Sequence, residues 1–164
     1  REEGMWLLAS EDTLFLLLVH PAFAKYLAGW DMGLHRVADV ILWLRTQKTD
    51  WPIVRSQLQR NGVCAAAWAT LRWVELLADD RAPGILSSML ADLQPGKLKR
   101  AWLEHWLISD LSARTAGAHW PRLLGLSPWL HDSAADAIRA VAGRRRARRR
   151  VNADLDAFSG LLDQ

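Results

Sequence analysis

The reading of this chain turns on SEDTLFLLLVHPAFAKYLAGWDMGLHRVADVILWLRTQKTDW, residues 10–51, which carries the starts of three helices and one proline break. Ser10 reads as an N-cap, with Glu11 and Asp12 in the first turn, where carboxylates complement the helix dipole. Leu14, Leu17 and Leu18 follow at helical spacing within a nearly continuous apolar run, which predicts a helix covered on most sides. Pro21 removes a backbone donor, so this helix should kink or end near His20, resume over 22–27 and stop at Gly29. Asp31 caps a second helix through Thr46, with Leu34, Val37, Ala38, Ile41, Leu42 and Leu44 as its buried side. Asp50 caps a third, placing Pro52 in the first turn, where a missing N–H does no harm.

The third helix should run to about Arg60 and stop at the turn pair Asn61-Gly62. A fourth spans 63–78, where Ala65-Ala66-Ala67 suits close backbone approach. After a break at 79–84 come a short helix over 85–93, a longer one from Lys97 to about Ala116, and a short turn or helix at 120–126. A last long helix is expected from Trp129 through Ala142, with Asn152 capping a terminal piece. Every confident element is helical, so the expected class is all-α, a single bundle of about six to eight helices. Its parts are an N-terminal arm over 1–9, a helical domain over 10–142, and an arginine-rich segment with a C-terminal helix over 143–164. Met5 to Leu8 is the exception, read as an arm or a lone strand whose partners are not in this sequence.

Composition narrows the class further. A chain of 164 residues that is 51% hydrophobic can bury one sizeable core. Ten Trp against three Phe and one Tyr place many indoles in that core or at its seams. A single cysteine, Cys64, excludes an internal disulfide framework, fits a reducing compartment and reads as a buried, inert thiol. Apolar runs such as Leu14 to Val19 are far short of the roughly 20 residues of a membrane span, and no signal-peptide pattern is visible, so the expected location is cytoplasmic. Net charge is +3, but the run Arg144-Arg145-Arg146-Ala147-Arg148-Arg149-Arg150 holds six of the basic residues, and the other 15 face 18 acidic ones. The basic character therefore belongs to one segment.

No self-contained catalytic motif is present: there is no HExxH, no CxxC pair, no Gly-rich phosphate loop, no serine elbow and no Walker lysine. His35 and Asp39 share a helix face at a spacing of four, which suits a structural hydrogen bond or salt link better than a metal, since no third ligand follows. His20, before Pro21, reads as satisfying backbone groups freed at the kink. His105, His119 and His131 are expected to be partly exposed and inert. Arg144, Arg145, Arg146, Arg148, Arg149 and Arg150 would attract phosphate, from nucleic acid or another acidic partner, or form a solvated charged face. No aromatic is interleaved with them, which leaves single-strand stacking unsupported there.

Ser10-Glu11-Asp12-Thr13-Leu14, His20, Leu34-His35-Arg36-Val37-Ala38-Asp39, Asp50-Trp51 and Gly62 together resemble the helical C-terminal half of a bacterial family of uncharacterised nucleotidyltransferases. In that family a capped "spedtLl" helix is followed by a histidine, an "Lrwl-x-D" helix and a "dW" pair opening the next. The resemblance covers about residues 5–85, with Val37 where the family tends to have an aromatic and Asp39 in place. It implies transfer of a nucleoside monophosphate from an NTP to an unknown acceptor. The Mg²⁺ would be held by paired aspartates after a Gly-Ser in a palm domain. Those residues match no position here, so no catalytic or metal-binding residue is assigned to this chain, and the segment alone is expected to be inactive. Met5 to Leu8 would be the last strand of a palm lying upstream in the same natural chain. His20, Arg36 and Asp39 would face the cleft or fix the helices around it. The rival readings are a non-catalytic module contacting nucleic acid or an acidic partner through its arginine run, and a structural or adaptor domain.

Trp43 is read as core, and Trp43→Ala should then cost on the order of 3–5 kcal/mol in denaturant unfolding; a near-neutral result would put the indole on the wrong face.

Overall fold

The computed structural model describes residues 8–25, 34–78, 82–108, 127–140, 142–143 and 146. It is all-α: among the described residues every regular element is helical. The chain forms two compact units, residues 1–132 and 133–164. In the first, α1 (Ser10–His20) runs into a π-helical turn (Pro21–Lys25), followed by α2 (Leu34–Thr46), α3 (Trp51–Asn61), α4 (Cys64–Ala78), α5 (Leu86–Asp92), α6 (Lys97–Ile108) and a 3₁₀ turn (Ser127–Leu130). In the second unit, α7 covers 134–140.

The core is built around α4. Ala65 through Leu71 are buried without interruption, followed by Val74 and Ala78. A helix hydrophobic on most sides belongs inside, and this one is covered by α1, α2, α3, α5, α6, the π turn and the 3₁₀ turn. The covering helices each offer a narrower stripe: Leu14 and Leu18 from α1, Val37 and Val40 from α2, Val54 and Leu58 from α3, Leu86 and Met89 from α5, and Leu103 from α6.

Two helix ends match the sequence reading closely. The Asp50 carboxylate accepts a hydrogen bond from the Ile53 amide at 3.3 Å at the start of α3, with Pro52 in the first turn. Gly62 ends the same helix at φ 63°, ψ 39°, a left-handed conformation that glycine adopts without a Cβ clash.

Other expectations are corrected. Ser10 is the first residue of α1 and does not cap it; the cap position is Ala9, with no side-chain bond, and the Ser10 hydroxyl turns away to Thr49. Pro21 does not stop the helix but widens it into the π turn, which relieves the loss of one backbone donor while keeping Ala22 buried. On α2 the buried residues are Val37 and Val40, with Ile41 and Leu44 partly buried, whereas Ala38 and Leu42 are exposed because they lie on the other side of the 3.6-residue turn. The helix expected from Trp129 through Ala142 is broken at 131–133, since Asp132 is drawn to the start of α4 and Ser133 caps α7, accepting from the Asp136 amide at 3.1 Å. His131, expected to be partly exposed, is buried with its ring 5.0 Å from that of Phe23. The expected strand at Met5 to Leu8, the Asp31 cap, the stops at Gly29 and Ala116, the turn at 120–126, His119 and the terminal piece after Asn152 lie outside the described residues, Leu8 alone excepted.

Trp43 is packed against the core but only partly buried, which moves the cost of Trp43→Ala toward the lower end of its range. Urea unfolding separates the two kinds of contribution: Leu71→Ala, at the fully buried centre of α4, should lose about 2–5 kcal/mol. Asp50→Ala, which removes one cap, should lose about 1 kcal/mol.

Candidate functional site

The start of α1 is bonded to the start of α3. Ser10 Oγ lies 3.0 Å from Thr49 Oγ1, and the Glu11 carboxylate accepts from the Asp50 amide at 3.2 Å. One residue further, Asp12 accepts from the Gln57 side-chain amide at 2.8 Å. Acidic residues placed in the first turn of α1, where the dipole favours them, thus also reach donors at the neighbouring helix. These bonds clasp Ser10 and Glu11 to Thr49 and Asp50, and Asp12 to Gln57, across about 40 residues of chain.

Of the three residues singled out by resemblance, Arg36 and Asp39 come together. Arg36 Nη1 lies 3.6 Å from Asp39 Oδ2, one turn apart on α2, with both side chains partly exposed. That is the geometry of a surface pair that steadies its own helix by a few tenths of a kcal/mol at most, about 0.2–0.5. His20 is exposed at the end of α1 and joins no hydrogen bond or ion pair among the described residues. His35 is exposed as well, and no group of three or more metal-ligating side chains gathers among the described residues. Within the arginine run, Arg146 is described and exposed; Arg144, Arg145, Arg148, Arg149 and Arg150 lie outside the described residues.

A further concavity lies elsewhere in the first unit. A groove of about 620 Å³ opens between the start of α4, the α5–α6 connection and the 3₁₀ turn, with Lys97, Lys99, Asp92, Gln94, Trp129 and Asp132 in its wall. Asp132 is its structural pin: the two carboxylate oxygens accept from the Cys64 amide at 3.0 Å and the Ala65 amide at 2.8 Å, while its own amide donates to Gly62 O at 2.9 Å. Lys99 Nζ donates to the backbone oxygens of His131 at 2.7 Å and Asp132 at 2.9 Å, fixing the same bend. Asp92 accepts from the Trp51 indole at 2.8 Å and lies 3.7 Å from Arg55. Neither Asp132 nor Lys99 stood out in the sequence. A usable signal was Ser133-Ala134-Ala135-Asp136, whose spacing marks a helix start and hence a break before it.

A thiol at a helix N-terminus is ordinarily made more acidic. At Cys64 the reverse holds: burial, and then the Asp132 carboxylate, push it from 9.0 up to about 12. The thiol, expected to be buried, is only half-buried, and it is neutral at physiological pH.

Comparison of the chain with protein-family models, characterised proteins and solved structures finds no match. No helix among the described residues is long and apolar enough to cross a membrane.

Since the folded-state value for Cys64 lies above the unfolded one, its contribution to stability is fully present below pH 9.0 and is lost as pH rises toward about 12. Unfolding compared at about pH 8 and about pH 10.5 should show a larger fall for the wild type than for Cys64→Ala. Asp132→Ala should lower the thiol pKa in a direct titration and cost about 1 kcal/mol through the lost cap. An unchanged thiol titration would mean that the carboxylate does not act on it.

Proposed function

We propose that this chain is the helical C-terminal portion of a bacterial, cytoplasmic nucleotidyltransferase-like protein, in which a nucleoside monophosphate passes from an NTP to an acceptor. In this reading the catalytic aspartates and their Mg²⁺ belong to a palm domain upstream in the same natural chain, and that domain is the partner of the helices described here. The helical portion covers the nucleotide cleft and shapes the acceptor side; it supplies no reacting group. His20, Arg36 and Asp39 face that cleft or steady the helices that form it.

The observation that carries the reading is the clasp between α1 and α3. The Ser-Glu-Asp and Asp-Trp motifs that bear the resemblance stand far apart in sequence, yet their residues are bonded to one another. A physical partnership gives both a common purpose, that of locking the first and third helices in register.

The reading frame upstream of Arg1 in the source DNA tests this. A Gly-Ser followed by paired aspartates is expected there, and the longer protein should transfer label from an α-labelled NTP. A stop codon or an unrelated domain in that position would overturn the transferase reading.

A further inference from the structure

The groove beside α4 has an unusual electrostatic arrangement. Its two acids are already committed, Asp132 to the amides that open α4 and Asp92 to the Trp51 indole and Arg55. Its two lysines are not neutralised in the same way. Lys99 is held by two backbone oxygens, which carry no net charge, and exposed Lys97 makes no hydrogen bond or ion pair among the described residues. Both lysines, with Arg100 next to them, stand in the first turn of α6, where no acidic residue balances them and where cations oppose the helix dipole. A local arrangement that works against helix stability is more often kept for binding than for folding.

The rest of the wall suits a planar, phosphate-bearing ligand. Trp129 is half-buried and braced by Trp102, with ring centroids 5.7 Å apart, so its indole is held in place as a stacking surface. Gln94 is exposed at the rim and offers both a donor and an acceptor. The volume of about 620 Å³ lies within the range of small-molecule sites, about 300–1,000 Å³.

We infer that this groove binds a nucleoside monophosphate, with the phosphate at Lys97 beside Lys99, the base against Trp129 and the base edge at Gln94. Apart from Cys64 and Ala65, the groove wall lies beyond residue 85, outside the stretch that carries the family resemblance. Its occupancy is therefore independent of the transferase reading, and the upstream reading frame does not bear on it.

Calorimetry on the full chain with AMP, adenosine and inorganic phosphate tests the assignment. AMP should bind at least about tenfold more tightly than either fragment, and raising salt should weaken it. Lys97→Glu should weaken AMP about tenfold, with a smaller loss in Lys97→Gln; both should melt no lower than the wild type, since Lys97 is exposed, makes no hydrogen bond or ion pair among the described residues, and carries a charge that opposes the dipole of α6. Trp129→Phe should keep most of the affinity and Trp129→Leu should lose it. The inference fails if AMP gives no binding at millimolar concentration, if Lys97→Glu leaves its affinity unchanged, or if phosphate alone binds as tightly. A single-stranded oligonucleotide that binds where AMP does not would also overturn it, in favour of a nucleic-acid surface.

Discussion

The first unit depends on one constraint: the first two turns of α4 have to be covered on every side. Seven consecutive residues, Ala65 to Leu71, have no solvent-facing side, so each neighbouring helix is placed by the need to cover one sector of this cylinder. The three alanines at its start let neighbours approach closely, and Trp68 and Leu71 fill the wider space beyond. The buried stripes on the outer helices are consequently narrow, one to three residues each among the described residues, which leaves room for charge on their other faces.

Covering a helix on all sides creates a second problem at its ends, where backbone amides have no partner in the helix itself. At α3 the difficulty is solved locally by Asp50 and Gly62, a few residues from the groups they serve. At α4 the partner comes from Asp132, 68 residues from Cys64. The same carboxylate that satisfies the amides also raises the thiol pKa, so capping and silencing of the cysteine are one interaction. Lys99 in turn secures the bend that presents Asp132, so the groove wall and the cap of α4 share one lysine.

This division between local and remote partners explains what could be read from the sequence. Asp50, Pro52 and Gly62 act on groups within one turn, and the helix they bound was legible nearly to the residue. Ser10 has the composition of a cap, but Thr49 competes for its hydroxyl, and nothing near Ser10 announces that competitor. The central position of α4 was hidden for the same reason: an unbroken apolar run shows that a helix is covered but not by how many neighbours. His131 was expected to be partly exposed, and the packing of Phe23 from the π turn against its ring accompanies its burial. Of the candidate site, the pairing of Arg36 with Asp39 follows from their spacing, whereas the groove depends on Asp132 and Trp129 meeting residues of α4 and α6.

The 68-residue separation between Cys64 and Asp132 also sets a timetable. A ribosome adds roughly 5–20 residues each second, so the start of α4 emerges several seconds before the carboxylate that completes it. Throughout that interval the central helix of the first unit is present without its cap and without α5 and α6 beside it. The nascent chain must therefore carry its own centre in an unfinished state, and the first unit closes only once Asp132 has emerged.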